Sequence, residues 1–395
     1  MKRVFSFIAN KWRTIFIALS VIVISISLLW AGLASLLPGV SNEEVLYSKR
    51  HANLRQVADN PINIIHGTLT SLPQLFNIHN VVLLRSVSSL FALAAIIAFY
   101  YVVKSWHTPR VAILSTLLFA SSSWFLHLAR LGLPDINFTL LIVVIMLGLF
   151  IQKGRYPTTS LLAICVVGTL LIYTPGMIWF IIPALIWQRK RLNSVLRSGA
   201  YLLAIACVAI ITILLAPLIR AAWLQPEILR AIAGLPEHMP TPAVLLDNFI
   251  HIPLRLFFRG PSNQVLWLSR MPLLDVFSSA MIIVGAYSYW FKRRLDRTKA
   301  IAGMSILSLL LVSLGGPVQL IVLAPVIYLL VAAGLNLMLQ QWFTVFPRNP
   351  LARTIGKSLI MLVVLMTVYY NVNHYFIAWP NTPETKAVFS HSLIK

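Results

Sequence analysis

Two adjacent glutamates, Glu43 and Glu44, follow an apolar stretch near the start of the chain. The spacing Ser41-x-x-Glu44 is typical of a capping box, in which both side chains satisfy backbone N–H groups at a helix start. Glu44 would then serve helix stability. Glu43 shares a helix face with Tyr47 and Arg50, so it is free for chemistry as a general base beside a phosphate-binding cation. The alternative interpretation is a solvated helix end with an acid favourably placed in its first turn.

A second group of candidates lies in a short segment just before another apolar run. His127, Arg130 and Asp135 are close together in the sequence, so we expect a base, a cation and an acid at the same level of the molecule. Pro134 followed by an acid also favours the opening of a helix, so a structural role for Asp135 remains the alternative. Arg85 begins a different apolar run and adds a cation, for which anchoring at lipid headgroups is the alternative.

Arg255 and Arg259 form a third candidate group. They stand one helical turn apart, so both guanidinium groups could hold one phosphate. Apolar and aromatic residues surround them, a pattern that indicates a helix lying in the membrane interface. Headgroup anchoring is again the alternative to a functional role.

Composition decides which elements must position these residues. The chain has 395 residues, of which 59% are hydrophobic and 11% charged, with a mean hydropathy of +0.84. Soluble domains have about 25% charged residues, so a soluble globular protein is excluded. Eleven apolar runs are long enough to cross a membrane, or nearly so. They cover residues 14–37, 82–103, 109–123, 135–152, 158–173, 174–188, 198–219, 272–291, 300–314, 318–340 and 357–373.

The formal net charge of +22 would suggest nucleic-acid binding in a soluble protein. Here Lys and Arg gather in alternate short loops, which is how cytoplasmic loops of membrane proteins are marked. The sequence therefore predicts an all-α, polytopic protein with one transmembrane domain over 1–395, a cytoplasmic N-terminus and an extracytoplasmic C-terminus. Outer loops 38–81 and 220–271 would form the active-site face, and the helix that starts at the capping box should run to Asp59.

The predicted spans carry no charged residue near their middle. Ion-coupled transporters usually bind their substrates there, with such groups or with broken helices. This pattern argues against an ion-coupled transporter and favours work at the outer surface. Cys165 and Cys207 lie inside apolar runs and the histidines lack ligand spacing, so no metal site is predicted.

The order of these features resembles the GT-C superfamily, in particular its protein O-mannosyltransferase and aminoarabinose-transferase branch, which is glycosyltransferase family 39-like. The resemblance rests on the acidic pair after the first span, the Arg-x-x-x-x-Asp turn at 130–135, and two short spans joined by Tyr-Thr-Pro at 173–175. It covers roughly residues 10–190, and the large outer loop at 220–271 also matches. Where the family usually has Asp-Glu, this chain has Asn42-Glu43-Glu44.

This resemblance implies a glycosyltransferase of the plasma membrane that moves a sugar from a polyprenyl-phosphate donor to a protein, glycan or lipid acceptor. Glu43 would be the base, with Glu44 as the alternative, and Asp135 would position a substrate. Inversion at the sugar carbon is expected, and no cofactor is required, although a divalent cation could bridge carboxylate and phosphate. A flippase or exporter of lipid-linked sugars and a non-catalytic assembly protein, which Asn42 would suit, are the alternatives. The residues assigned to the substrate and its phosphate are Arg50, Arg85, His127, Arg130, Arg255 and Arg259.

Overall fold

The structure is a computed structural model that describes residues 16, 19–76, 78, 80–198, 201–261, 263, 265 and 270–393. Most of the described residues are helical, and these residues form no strand, only one isolated β-bridge between Val40 and His391. The expected all-α fold is therefore confirmed. Lys2 and Arg3, which contribute to the predicted orientation of the N-terminus, lie outside the described residues.

Eighteen α-helices follow one another along the described chain, together with two 3₁₀ segments (Pro134–Leu140 and Leu320–Leu323) and one π-helical turn (His374–Ala378). The α-helices are α1 (Leu19–Trp30), α2 (Asn42–Arg50), α3 (Leu54–Asp59), α4 (Ile64–Leu75), α5 (Val81–Trp106), α6 (Pro109–Ser121), α7 (Ser123–Ala129), α8 (Leu141–Gln152), α9 (Pro157–Ile172), α10 (Ile178–Ser198), α11 (Tyr201–Leu224), α12 (Glu227–Ile232), α13 (Pro242–Phe257), α14 (Val276–Trp290), α15 (Asp296–Ser313), α16 (Ala324–Val345), α17 (Pro350–Asn373) and α18 (Pro383–Val388).

Each of the eleven apolar runs overlaps a helix of this series. By length and composition, five helical segments of the described chain could each cross a membrane, or six if the bent pair α6 and α7 is one span. Three further apolar helices, α1, α9 and α14, are shorter. The several long apolar helices agree with a multi-pass membrane protein, and the number of eleven crossings stays a prediction.

The surface helix expected to run to Asp59 is interrupted, so that expectation was wrong. Helix α2 ends at Arg50, and the ring of His51 bonds back to the carbonyl of Tyr47, with 2.9 Å between Nδ1 and the oxygen. Asn53 then caps α3 by accepting a hydrogen bond from the backbone N–H of Gln56 at 2.9 Å. A local cap of this kind starts a new helix in preference to continuing the old one.

Small residues allow the closest helix packing in the bundle. A Cβ atom placed on Gly285 in α14 would collide with the backbone of α16 at Leu330, and one on Gly334 in α16 would collide with α14 at Met281. Backbones approach this closely in membrane bundles where glycine faces glycine, because dispersion contacts replace the missing hydrophobic drive. This pair of helices adjoins α5 and α6 in the centre of the molecule.

The two ends of α5 mark the two ends of the bundle. Near its start, Arg85 contacts the segment that leads into α2. At its far end, the carbonyl of Trp106 accepts a hydrogen bond from Arg297 at 2.9 Å, in one of the basic loops. The axial rise of an α-helix puts these contacts about 30 Å apart, which is the thickness of the hydrocarbon core of a bilayer.

A tight turn fastens the large loop at 220–271 to the helix bundle. Gly176, with φ of +75°, follows the turn between α9 and α10, and its N–H donates to the carbonyl of Ile232 at 2.8 Å. A Cβ atom on Gly234 would lie 2.9 Å from the Gly176 backbone, so both positions need glycine. The turn that contains Tyr173, Thr174 and Pro175 thereby holds the end of α12, and the segment that leads from it to α13, against the bundle.

Candidate functional site

The start of α2 has the geometry that the spacing predicted. The hydroxyl of Ser41 accepts a hydrogen bond from the Glu44 N–H at 3.2 Å, and the Glu44 carboxylate accepts one from the Ser41 N–H at 3.0 Å. The capping box is therefore confirmed. It orients the first turn of α2 so that Glu44 points inward and Glu43 points outward.

Glu44 is also one half of a buried ion pair with Arg85. Their side chains are 0% and 1% exposed, and Arg85 donates two hydrogen bonds to the carboxylate, at 2.9 and 3.0 Å. Arg85 further donates to the carbonyls of Leu33 and Gly39, and the Gly132 N–H donates to Glu44 at 2.8 Å. A ligand cannot reach either side chain, which argues against the base and phosphate roles given to them from sequence.

Arg130 and His127 are buried as well. The guanidinium of Arg130 donates to the carbonyls of Leu28 and Ala31 and lies over the ring of Phe376, 4.7 Å from its centre. His127 is fully buried, and its ring packs against that of Trp379 with 4.4 Å between centroids. Their contacts tie the end of α7 to α1 and to the segment that contains Phe376 and Trp379. A structural role therefore fits both residues better than phosphate binding.

Glu43 and Asp135 come together from distant parts of the sequence. Glu43 is exposed and Asp135 is half-buried, and the two carboxylates are close enough for their charges to repel each other. The charge of Asp135 also acts on Tyr47, one turn after Glu43 on α2. These three side chains form a polar cluster, which we call the acid cluster.

The surroundings of Glu43 favour its protonated form. Neighbouring residues remove part of the hydration of the Glu43 carboxylate and so raise its pKa above the usual value, and the negative charge of Glu44 acts in the same direction. A hydrogen bond from the side chain of Asn263 stabilises the carboxylate and lowers the pKa in part. A carboxylate whose pKa is raised toward neutrality is a better proton acceptor at working pH.

A cavity of about 640 Å³ lies beside Asn263 and is rich in arginine. Arg255, Arg259 and Arg270 are exposed to it, and Asn263 connects it to Glu43. The gathered positive charge would attract an anionic group, and guanidinium suits phosphate. The remaining lining residues are His251, Leu254, Gly260 and Pro261.

Sequence reasoning identified Arg255 and Arg259, but it missed Arg270 and Asn263. Helix α13 ends at Phe257, so Arg259 lies beyond it and the expected helical spacing of the two arginines was wrong. Arg270 has a φ of +68°, a conformation that side-chain-bearing residues rarely adopt and that is over-represented at functional sites. Neither residue stands in a helical pattern, so no spacing could have marked them. Arg50 is exposed at the end of α2, and among the described residues no ion pair includes it.

The described residues contain no group of three His, Cys, Asp or Glu side chains placed to hold a metal ion. The acid cluster supplies two carboxylates. Mg²⁺ is commonly bound by one or two carboxylates together with substrate phosphates, so these residues would fit such an ion only with a phosphate ligand present.

No family model and no curated protein matches this chain. Solved structures do resemble it. ArnT from Cupriavidus metallidurans in the apo state has 15% sequence identity and a TM-score of 0.56, with 98% of this chain and 78% of ArnT covered. ArnT bound to undecaprenyl phosphate has 13% identity and a TM-score of 0.57, with coverage of 95% and 77%.

The oligosaccharyltransferase of Archaeoglobus fulgidus in its apo form is also similar. It has 12% identity and a TM-score of 0.58, and the match covers 95% of this chain but 59% of that protein. ArnT and the oligosaccharyltransferase are both GT-C glycosyltransferases. At such low identity the similarity establishes a shared fold, and the sequence-based expectation of a GT-C fold is confirmed.

Proposed function

We propose that this GT-C-fold chain is a glycosyltransferase that moves a sugar from a polyprenyl-phosphate donor to an acceptor hydroxyl at the extracytoplasmic membrane surface. The observation that carries the proposal is the position of Glu43 beside Asn263, a residue that lines a cavity with three exposed arginines. A base beside an anion-binding cavity is what transfer from a sugar phosphate requires. Support also comes from the fold shared with ArnT, whose structure contains undecaprenyl phosphate.

The reaction would be a single displacement. Glu43 takes the proton of the acceptor hydroxyl as its oxygen forms a bond to the anomeric carbon of the sugar. The bond from that carbon to the phosphate oxygen breaks, and the electron pair stays on the phosphate. Attack opposite the leaving group inverts the anomeric centre, which needs one carboxylate and no covalent intermediate.

The arginines would stabilise the departing phosphate. In the donor the phosphate is a diester with one negative charge, and in the product it gains a second. Arg255, Arg259 and Arg270 face the place where this charge develops, so their interactions strengthen in the transition state. Asp135 would orient the sugar or the acceptor.

The orientation in the membrane is also proposed here. Arg85, near the start of α5, pairs with Glu44, the neighbour of Glu43, and Arg297 of a basic loop contacts the far end of α5. Basic loops stay in the cytoplasm in membrane proteins, so the acid cluster and the cavity would face the opposite side. The lipid donor could then enter from the outer leaflet.

Arginine substitutions test the proposal. Purified protein in lipid vesicles is given a set of radiolabelled polyprenyl-phosphate sugars with candidate acceptors, and sugar transfer is counted. Replacing Arg255 or Arg259 by Gln should lower kcat/KM about 10- to 100-fold, as expected when a charged hydrogen-bond partner is lost. Arg294→Gln, an exposed arginine in a basic loop, serves as the matched control and should leave the rate unchanged.

Absence of transfer from every donor would overturn the proposal. If labelled lipid crossed the vesicle membrane without transfer, the chain would be a flippase of lipid-linked sugars instead. Equal losses in Arg255→Gln and Arg294→Gln would show that the cavity does not hold the phosphate.

A further inference from the structure

A buried chain of hydrogen bonds leads from the acid cluster into the protein. The hydroxyl oxygen of Tyr47 lies 3.0 Å from Nδ1 of His66, and Nε2 of the same ring lies 2.9 Å from the hydroxyl oxygen of Ser88. That hydroxyl in turn donates to the carbonyl of Leu133 at 3.0 Å. His66 and Ser88 are fully buried, and Leu133 stands two positions before Asp135.

The carbonyl end fixes the direction of every proton in this chain. A carbonyl only accepts, so the single proton of Ser88 is directed at Leu133. The Ser88 oxygen can therefore only accept from His66, which must carry a proton on Nε2. Burial lowers the pKa of His66 to about 3, so the ring is neutral and Nδ1 is an acceptor. The hydroxyl of Tyr47 must then donate to Nδ1.

The proton of Tyr47 is thus already used inside the protein. Its phenolic oxygen keeps lone pairs for a further partner, and the charge of Asp135 acts on this same residue. Burial raises the pKa of Tyr47, so the phenol stays protonated and its O–H remains committed to His66. On the side away from His66, Tyr47 therefore offers only an acceptor oxygen, and the carboxylates of Glu43 and Asp135 are also acceptors when they are ionised. Such a surface repels phosphate oxygens and needs a hydrogen-bond donor.

We propose that His66 is a positioning residue, which orients the hydroxyl of Tyr47 so that the acid cluster accepts a hydroxyl group of the substrate and excludes phosphate. This inference rests on the proposed function, since it assigns the sugar-bearing side of the donor or the acceptor to the acid cluster. The phosphate is left to the arginine cavity. The acid cluster would therefore bind a hydroxyl group, and the arginine cavity would bind the phosphate.

A pair of substitutions at one position separates this role from mere packing. The amide of Asn reaches where Nδ1 stands and can accept from Tyr47, whereas the amide of Gln reaches where Nε2 stands and bonds Ser88. His66→Gln should lower kcat/KM for transfer about 10- to 100-fold, the scale of a misplaced substrate. His66→Asn should stay within about threefold of the parent.

A double-substitution cycle shows whether His66 acts through Tyr47. Tyr47→Phe should lower kcat/KM as much as His66→Gln, and the two changes together should lower it no further, because they remove one interaction. The melting temperature of each variant is measured in detergent. Binding of bare polyprenyl phosphate, which lacks the sugar, should be unchanged in all of them.

The substrate that carries the hydroxyl follows from which KM rises. A higher KM for the sugar donor places the hydroxyl on the sugar, and a higher KM for the acceptor places it there. Three outcomes would each overturn the positioning role. They are equal losses in His66→Gln and His66→Asn, additive effects of His66→Gln and Tyr47→Phe, and weaker binding of bare polyprenyl phosphate. A parent protein without transfer activity would overturn the proposed function and, with it, the hydroxyl assignment.

Discussion

Glu43 and Glu44 are neighbours in the chain, yet their carboxylates lie in different surroundings. Glu43 faces outward beside Asn263, and Glu44 is buried against Arg85. Glu43→Gln keeps the size and removes the basicity, so transfer should fall about 100- to 10,000-fold with little change in stability. Glu44→Gln leaves the buried Arg85 charge without its counter-ion, so stability should fall by about 3–5 kcal/mol. Transfer rates and urea unfolding in detergent at matched protein levels measure both effects.

The pH dependence provides the control for the role of Glu43. A base must be ionised to act, and the pKa of Glu43 is raised above its usual value of 4.5. The transfer rate should therefore rise with pH through a midpoint above that value and then level off. The residual rate of Glu43→Gln, which retains Glu44 and Asp135, should lack this rise. An unchanged pH profile in that variant would assign the base to Asp135.

The sequence predicted part of this arrangement because part of it is local. Ser41 and Glu44 stand three positions apart, so their capping box has a spacing that can be recognised. The pairing of Glu44 with Arg85, across 41 positions, has no local signal. For that reason the spacing alone predicts for Glu44 only the stabilisation of a helix cap, about 0.5–2 kcal/mol, and the larger contribution of a buried ion pair needs the structure.

At the scale of helices, the contact between α14 and α16 gives a test of the fold. Gly285→Ala places a methyl group against the α16 backbone, which cannot move aside, so the free energy of unfolding should fall by about 1–3 kcal/mol or more. Gly303→Ala in α15 is the matched control, since nothing lies within 4 Å of its new methyl group. Alanine stabilises helices relative to glycine, so this variant should gain up to about 1 kcal/mol.

Opposite signs for the two substitutions would establish the close contact, and equal signs would contradict it. Thermal unfolding in detergent gives the comparison.

The positions of the helices were predictable, because an apolar run is a property of consecutive residues. Their partners were not, since every face of a membrane helix is apolar and the sequence does not mark which face meets protein. The break at His51–Asn53 also escaped prediction, because it depends on side-chain bonds to the backbone.

For the whole molecule, sidedness is the testable property. A reporter that is active only after export, fused after Lys395, should be active, because the bridge between Val40 and His391 puts that end of the chain beside the acid cluster. The same reporter inserted after Arg294 should be inactive, because basic loops remain in the cytoplasm. The reverse pattern would place the acid cluster inside the cell and remove the extracytoplasmic donor from the proposal.

The bridge between Val40 and His391 has a consequence for biogenesis. Val40 precedes the capping box of α2 by one residue, and its N–H donates to the carbonyl of His391 at 2.9 Å. Phe389 and Trp379, both fully buried, pack together beneath it. A ribosome makes residue 40 long before residue 391, so this contact cannot form until the last part of the chain has been made. The contact that precedes α2 thus forms late, and we expect a chain cut short before residue 389 to insert but to lack this contact beside the capping box.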